Sequence, residues 1–359
     1  MTQRRKLVFY THALAGGGAE RVFARLASGF AARGDRVTFV VDFEAQENLD
    51  LLSREVDLIV LPRGHARGAA ALAKLLRRAG ADASLSAISV SNLKHAAAAA
   101  LAGRLDRAII SYHGFYESES ARLSNIGYRL TPVLSRAVGA TVAVSDALRN
   151  DLVARFFVPE RRIRKIYNPA APEPFPDEPT ADDLAARAPI TLAMGRLVPD
   201  KDFLTLIRAF ARISDPEARL VILGEGPERD RLGSEARALG VAARVAMPGF
   251  TADIGRALSR AKCLVISSER ESFGLSCVEG LAYGLPVIVT DCGGPAEVLG
   301  PAADDAPVPV GDVDLLARRI ARALANPGDP ARRQSRARAF SLEAALDAYD
   351  EAIRAVARR

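Results

Sequence analysis

Short apolar segments alternate with longer amphipathic segments along almost the whole chain. The short segments have the length and composition of buried strands, and the longer ones repeat their apolar positions at helical spacing. The first series of predicted strands covers residues 7–10, 37–41, 58–61, 87–90, 108–111, 142–144 and 164–167. Helices are predicted between them, for example at 20–33, 70–79 and 96–102.

The alternation stops at the proline-rich segment 168–179, which predicts a linker because proline continues neither a sheet nor a helix interior. A second series of predicted strands follows at 190–194, 220–223, 244–246, 264–266 and 287–290. Two such blocks predict an α/β protein with two doubly wound, mostly parallel sheets. Ligands of such sheets bind beyond the carboxyl ends of the strands, so we expect a site in the cleft between two domains.

A final helix is predicted over residues 341–359, with Ser341 as its cap and arginines in its last turn. Periodicity alone does not assign this helix to either domain.

Composition narrows the function classes further. The 359 residues carry a net charge of +6, too diffuse to indicate nucleic acid but compatible with an anionic membrane surface. The three cysteines, Cys263, Cys277 and Cys292, lack metal-ligand spacing and predict buried thiols in a reducing compartment. No signal peptide and no membrane span is expected, so we predict a cytoplasmic protein that is at most peripheral on a membrane.

The segment from Glu271 to Glu279 is the most informative stretch. It follows a predicted strand and leads into a predicted helix through Phe273, Gly274 and Leu275. Unpaired amides of a first helical turn bind anions, and glycine allows a ligand to approach the backbone. A carboxylate beside a phosphate site is better suited to hydroxyl groups. Phosphate together with hydroxyls indicates a nucleotide-sugar.

A second candidate follows the first strand of the second block. Gly195 and Arg196 come directly after that strand, and Lys201 lies five residues beyond Arg196. An arginine fork and a lysine point charge can bind one diphosphate together. The alternative is a pair of solvated loop cations.

Glycine clusters follow three further strands. Gly16, Gly17 and Gly18 open the first helix and can bind a phosphate through their amides. Gly224 with Gly226, and Gly249 with Phe250, can accommodate a base or ribose. Each cluster has a plain turn as its alternative, and Phe250 has the core as its alternative.

His113 ends a predicted strand beside a glycine and can hydrogen-bond a sugar hydroxyl or a phosphate as a neutral imidazole. A satisfied structural histidine is the alternative. Arginines at seven-residue spacing, Arg122, Arg129 and Arg136, predict either a solvated helix face or a face that contacts anionic lipid or a pyrophosphate acceptor.

Taken in order, these residues resemble the retaining glycosyltransferases of family 4, which have the GT-B fold. The match covers Gly16 to Glu20, His113, Gly195 to Leu197 with Lys201, Gly224 to Pro227, and Glu271 to Glu279. One departure is Asp202, where many relatives have glycine. The resemblance is strongest to bacterial enzymes that extend glycans linked to polyprenyl diphosphate.

The resemblance implies a role for each matched residue. Arg196 and Lys201 would bind the donor diphosphate, Glu279 the ribose, and Glu271 the sugar hydroxyls. The amides at Phe273, Gly274 and Leu275 would bind sugar and phosphate. Gly17 and Gly18 would close on the diphosphate, and His113 would meet the donor sugar.

The resemblance also implies two Rossmann-like domains: an acceptor-binding domain at 1–170, onto which helix 342–359 crosses back, and a donor-binding domain at 171–341.

The expected function is transfer of a hexose or N-acetylhexosamine, with retention, from a nucleotide-sugar to a hydroxyl of a glycan or polyprenyl-diphosphate-linked acceptor. UDP is the first expectation for the nucleotide and GDP the second. No metal or other cofactor is expected, because no Asp-x-Asp cluster serves as an evident site for a metal bound to the diphosphate. A nucleotide-sugar epimerase and a catalytically silent nucleotide-sugar-binding subunit are the alternatives. A dehydrogenase is disfavoured because the dinucleotide fingerprint is absent.

Overall fold

The computed structural model describes residues 4–15, 17–118, 122–251 and 253–358. The chain divides into two compact units, which we call the N-terminal unit (Met1–Pro169 with Leu342–Arg359) and the C-terminal unit (Ala170–Ser341). Each unit is built around one parallel sheet with helices on it. The predicted fold class, α/β with two doubly wound parallel sheets, is confirmed.

The N-terminal unit contains a seven-stranded sheet of order β3-β2-β1-β4-β5-β6-β7 in its described residues. Every neighbouring pair is parallel. The strands are β1 (Lys6–Tyr10), β2 (Arg36–Val41), β3 (Asp57–Val60), β4 (Ala83–Ala87), β5 (Ala108–Tyr112), β6 (Ala140–Ala143) and β7 (Ile163–Lys165). The helices are α1 (Gly18–Ala32), α2 (His65–Ala79), α3 (Ser89–Ala102), α4 (Arg122–Arg129), α5 (Thr131–Ala137) and α6 (Asp146–Phe156), with α15 (Leu342–Ala357) from the end of the chain.

The C-terminal unit contains a five-stranded parallel sheet of order β10-β9-β8-β11-β12 in the part that the structure describes. Its strands are β8 (Ile190–Met194), β9 (Arg219–Leu223), β10 (Val245–Gly249), β11 (Cys263–Ile266) and β12 (Val287–Val289). Its helices are α7 (Ala181–Ala186), α8 (Phe203–Phe210), α9 (Arg229–Ala238), α10 (Ile254–Arg260), α11 (Leu275–Ala282), α12 (Gly294–Leu299), α13 (Val313–Ala325) and α14 (Pro330–Arg338).

Aromatic side chains fill the core of the N-terminal unit beneath α1. The ring of Phe9 on β1 lies 5.6 Å from that of Phe23, 6.2 Å from that of Phe30 and 6.4 Å from that of Phe39. All four side chains are fully buried, so burial of large apolar surface holds α1 onto β1 and β2.

The last helix, α15, packs on α1 in the N-terminal unit. A Cβ atom on Gly29 of α1 would lie only 2.7 Å from Leu346 of α15, so the helices approach closely where the glycine lies. Ion pairs join the end of α1 to α15, because Arg33 contacts both Glu343 and Asp347. The chain therefore completes the N-terminal unit only after passing through the whole C-terminal unit.

One predicted strand is wrong. Residues 87–90 were expected to form a strand, whereas β4 is Ala83–Ala87 and α3 already begins at Ser89. The strand carries serines at 84 and 86, and both side chains are buried and hydrogen-bonded. Buried polar positions break the apolar signal of a central strand, which shifted the prediction toward the following residues.

Over the described residues, no helix is long and apolar enough to cross a membrane. Within the same residues, no group of three or more His, Cys, Asp or Glu side chains is placed to hold a metal ion.

Candidate functional site

Two glycine loops of the C-terminal unit pack backbone against backbone at the carboxyl ends of β8 and β9. The amide of Gly195 donates to the Leu223 carbonyl over 2.9 Å, and the amide of Leu197 donates to the Glu225 carbonyl over 2.8 Å. A Cβ atom on Gly224 would lie 1.9 Å from the Gly195 carbonyl oxygen. Glycine at 224 is therefore required by the contact between the loops, and its part in donor binding stays a prediction.

Gly226 has the same packing role as Gly224. A Cβ atom there would lie 2.4 Å from the Leu197 carbonyl oxygen. The two loops thus present a fixed backbone edge where Arg196 leaves β8.

Arg196 is exposed at this edge. Among the described residues, its side chain has no hydrogen-bond or ion-pair partner, while the residue after it, Leu197, is fully buried. The buried Leu197 holds the backbone in place, while the exposed guanidinium of Arg196 can bind a ligand. An anion bound at this edge would therefore find an unpaired cation.

Lys201 and Glu271 form an ion pair at the carboxyl ends of β8 and β11. The backbone of each residue is held independently of this pair. The Lys201 carbonyl accepts a hydrogen bond from the Ser267 hydroxyl (2.8 Å). The Glu271 amide donates to the Cys292 carbonyl (2.8 Å), and the Glu271 carbonyl accepts from the Gly294 amide (2.8 Å). The pair is partly exposed, so a ligand can reach both charges.

Asp202 adopts a left-handed conformation with φ of +43°. Its side chain also caps α8 by accepting a hydrogen bond from the Thr205 amide over 3.1 Å. Asp tolerates the left-handed region better than most residues, and the cap offsets the remaining cost. Asp202 therefore supplies a left-handed turn, with Lys201 held before it.

Gly274 is the N-cap residue of α11 and has a φ of +86°. This conformation favours glycine, and a Cβ atom would also lie 2.9 Å from the Pro295 ring. The first-turn amides that follow, including that of Leu275, have no carbonyl one turn earlier within the helix. They provide the partial positive charge that an anion site needs.

The two neighbours of this turn are buried. The Phe273 ring packs edge-on against Phe340 at 5.7 Å, which fixes the loop from below. Glu279 lies one turn into α11 and is 8% exposed. Burying a carboxylate beside an anion site costs free energy unless hydroxyl or amide groups donate hydrogen bonds to it.

Gly249 and Phe250 follow β10. Gly249 has a φ of +95°. Its carbonyl accepts a hydrogen bond from the Gly224 amide over 2.9 Å. Phe250 is 81% exposed, so the structure excludes the alternative in which this aromatic ring is part of the core.

In the N-terminal unit, Gly17 and Gly18 lie at the start of α1, whereas Gly16 lies outside the described residues. The side-chain amide of Asn48 donates to the carbonyls of Ala15 and Gly17, the latter over 3.3 Å. This clamp joins the loop after β1 to the segment after β2. Any role of Gly17 and Gly18 in closing on a ligand stays a prediction.

His113 lies directly after β5. Its Nε2 is 2.9 Å from the Ser111 hydroxyl oxygen, and its ring packs edge-on against Phe23 at 5.7 Å. Burial lowers the pKa of His113 to about 3, so the imidazole is neutral near neutral pH. Contact of this ring with a sugar hydroxyl or a phosphate stays a prediction.

Sequence reasoning missed a charged cluster around Asp42, which follows β2. Its carboxylate accepts hydrogen bonds from Tyr10 (3.0 Å), Lys94 (2.7 Å) and the Nδ1 of His12 (2.7 Å). Burial opposes its ionisation, but the bonds from His12 and Lys94 outweigh that cost and lower the pKa of Asp42. The positions of His12 and Asp42 after adjacent strands were the available signal, while Lys94 on α3 gave none.

Within the C-terminal unit, the structure thus brings Lys201 to Glu271 and Gly195 to Gly224, and places Arg196 and Gly274 at carboxyl ends of the same sheet. Phe250 is exposed after β10 of this sheet. Their functional roles remain predictions.

Two family models match the chain. Residues 16–173 match "Glycosyltransferase Family 4", and residues 177–340 match "Glycosyl transferases group 1". Together the two matches span nearly all of both units.

Curated relatives match part of the chain. The lipopolysaccharide core biosynthesis glycosyltransferase LpsE of Rhizobium meliloti is 37% identical over 172 residues, 46% of this chain and 50% of the relative. LpsD of the same organism is 35% identical over 211 residues, 56% of this chain and 60% of the relative. The chain therefore aligns with about half the length of the curated relatives it matches.

Solved structures match the whole fold. HepE of Anabaena, crystallised with UDP-glucose, aligns with a TM-score of 0.79 and 20% identity, covering 96% of this chain and 98% of that chain. At this identity the likeness shows the fold alone.

Proposed function

Because this chain belongs to the glycosyltransferases of group 1 and family 4, we propose that it transfers a hexose or N-acetylhexosamine from a UDP-sugar to an acceptor hydroxyl. The acceptor is a glycan or a polyprenyl-diphosphate-linked glycan used to assemble cell-surface polysaccharide. The observation that carries the proposal is the partly exposed pair of Lys201 and Glu271 on the same sheet edge as the exposed Arg196, which has no side-chain partner among the described residues. The UDP-glucose bound in HepE and the lipopolysaccharide role of LpsE support the donor and acceptor classes.

The cations are assigned to the leaving diphosphate. Arg196 has no partner to give up among the described residues, so its guanidinium can bind two phosphate oxygens at once. Lys201 is already held by Glu271, and a diphosphate would share its ammonium. The α11 amides after Gly274 add a third source of positive potential. Cations of this chain then carry the charge that develops on the diphosphate, so the proposed reaction needs no metal.

The carboxylates are assigned to hydroxyl groups. Glu271 would accept hydrogen bonds from the transferred sugar, and the nearly buried Glu279 from the ribose. In the N-terminal unit, His113 would meet a hydroxyl of the donor sugar as a neutral imidazole.

In the proposed reaction the bond from the anomeric carbon to the diphosphate oxygen breaks, and a bond to the acceptor oxygen forms on the same face. The transition state is oxocarbenium-like. The acceptor proton passes to the departing diphosphate, which leaves as UDP, so no side chain forms a covalent intermediate. Fixed cations beside the leaving group stabilise the charge that develops there.

The test is a thermal-shift panel of UDP, GDP, ADP, their sugar conjugates and NAD on wild type, Arg196→Ala and Arg318→Ala. Arg318 is the matched control, because it is an exposed arginine on α13 that likewise has no partner among the described residues. We expect UDP and a UDP-sugar to raise the Tm of wild type and Arg318→Ala, with the shift lost in Arg196→Ala.

Turnover is expected to fall by about 100-fold or more in Arg196→Ala, the range for loss of one group that stabilises transition-state charge. Retention is checked by the anomeric configuration of the product, and metal independence by full turnover in EDTA. Near-normal turnover of Arg196→Ala, or stabilisation by NAD alone, would refute the proposal.

We also propose that α4 and α5 contact an anionic membrane, so that the enzyme works in the cytoplasm at the inner membrane face. The exposed side of these helices, here called the α4–α5 face, combines four apolar side chains with three arginines: Leu123, Ile126, Leu130, Val133, Arg122, Arg129 and Arg136. Exposed apolar side chains cost free energy in water, and cations beside them fit acidic headgroups.

Vesicle co-sedimentation of the full chain tests this surface. We expect binding to phosphatidylcholine vesicles containing about one third phosphatidylglycerol, and little binding to phosphatidylcholine alone. Val133→Ser and Arg129→Gln should each weaken binding. Val310→Ser, at an exposed valine of the C-terminal unit, is the control. Equal binding to both vesicle types would refute the anionic-membrane proposal.

A further inference from the structure

Hydrogen bonds link α3, β4 and β5 through the buried part of the N-terminal unit. On α3, the Nδ1 and Nε2 of His95 lie 2.9 Å and 2.8 Å from the hydroxyl oxygens of Ser86 and Ser84. The Ser86 hydroxyl donates to Asn92 Oδ1 over 2.7 Å. The Asn92 amide then donates to the Ser111 carbonyl on β5 over 2.8 Å.

These bonds occupy a place where a parallel sheet normally carries apolar side chains. Ser84, Ser86, Asn92, His95 and Ser111 are all 2% exposed or less. Buried polar groups cost free energy unless they are paired, and a fully paired network mainly fixes geometry. The network fixes the carboxyl ends of β4 and β5, and His113 is the first residue after β5.

The direction of each bond follows from the number of protons. The Ser111 hydroxyl has one hydrogen and donates it to the Ser86 carbonyl over 2.9 Å. Its oxygen also lies 2.9 Å from His113 Nε2, and with its proton committed it can only accept. Nε2 must therefore carry a hydrogen, and the lone pair of the neutral ring lies on Nδ1.

We infer that Ser111 is a positioning residue that fixes His113 as the Nε2–H tautomer, with Nδ1 as the hydrogen-bond acceptor. Asn92 supports this arrangement by holding the Ser111 carbonyl, and His95 by orienting Ser86. The inference rests on the proposed function only in its consequence. A neutral ring with a lone pair on Nδ1 accepts from a sugar hydroxyl and repels a phosphate oxygen, which assigns His113 to the sugar of the donor. Nδ1 is buried in this structure, so the sugar hydroxyl reaches it only when the groups that cover it move.

The tautomer is measured directly by long-range proton–nitrogen NMR on protein with labelled histidine. The chain has four histidines, and a His113→Gln variant assigns the signal. In wild type we expect the Nε2–H pattern at neutral pH. Ser111→Thr keeps a hydroxyl and should keep that pattern, while Ser111→Ala should populate the Nδ1–H form. A wild-type ring protonated on Nδ1, or a ring unchanged in Ser111→Ala, would overturn the inference.

Kinetics of UDP-glucose hydrolysis test the consequence. Loss of a well-oriented neutral hydrogen bond should raise the KM for UDP-glucose roughly 3- to 10-fold in Ser111→Ala with kcat little changed. A merely structural defect would lower the active fraction and leave KM unaltered. Ser91→Ala is the matched control, because Ser91 is a buried serine on α3 whose hydroxyl has no hydrogen-bond partner among the described residues.

A failure of the proposed function can be distinguished from a failure of the inference about Ser111 and His113. Absence of any UDP-sugar binding in wild type would refute the proposed function, and the NMR pattern would still decide the tautomer. The Nε2–H tautomer together with an unaltered KM in Ser111→Ala would overturn the assignment of His113 to the donor sugar.

Discussion

Acidification should destabilise the N-terminal unit through His95. This side chain is fully buried, and burial lowers its pKa from the ordinary 6.5 to about 4. As the pH falls, the unfolded chain binds the proton first. Stability is therefore complete above pH 6.5 and is lost progressively as the pH falls toward about 4.

The magnitude follows from these two pKa values. Between about pH 7.5 and about pH 5, one such histidine should reduce the free energy of unfolding by roughly 2 kcal/mol. With a urea dependence of about 2 kcal/mol per molar, the midpoint should fall by about 1 M from this group alone.

The assay is urea unfolding followed by circular dichroism at both pH values, on wild type and His95→Gln. The glutamine variant is expected to be less stable at the higher pH, because both ring nitrogens lose hydrogen-bond partners. Its deficit should shrink by roughly 2 kcal/mol at the lower pH, since glutamine does not titrate. Protonation of carboxylates changes the free energy of unfolding equally in both proteins, so it cancels from their difference. A deficit that is the same at both pH values would refute the reasoning.

Substitutions at three other positions test the geometry of the C-terminal unit, each by its thermal or urea midpoint. Gly224→Ala should cost roughly 3 kcal/mol, because its methyl group meets the Gly195 carbonyl and φ is +140°; a neutral effect would contradict the loop contact. Arg333→Met should cost roughly 2 kcal/mol, because it removes a buried cation from the partly exposed Asp304; unchanged stability would show that the pair contributes nothing. Asp202→Gly should be near neutral and Asp202→Ala should cost about 1–2 kcal/mol, because glycine restores the left-handed turn and alanine loses both turn and cap; equal costs would contradict this account.

The sequence predicted most of the fold, because apolar segments of strand length alternate so regularly with helices. Strand β8 is found at the predicted residues, and most others differ by one or two residues at an end. The exception, β4, failed because its buried serines are stabilised by partners on α3. A pattern read along one strand contains no information about a partner on the next helix.

The candidate site was predictable wherever it depends on chain neighbours. A glycine after a strand and a helix start after a glycine are local features, and Gly274 and Arg196 were found through them. Contacts between distant residues were not predictable in detail. The pairing of Lys201 with Glu271, and the cluster of Asp42 with Lys94, depend on how strands are ordered in each sheet.

The return of α15 to the N-terminal unit has a consequence for synthesis on the ribosome. The C-terminal unit is translated as one uninterrupted segment, so it can fold as soon as that segment emerges. The N-terminal unit is translated first yet is completed last, because the surface of α1 around Gly29 stays uncovered until α15 appears. A nonsense mutation after Ser341 would therefore damage the domain made at the beginning of translation rather than the one just finished.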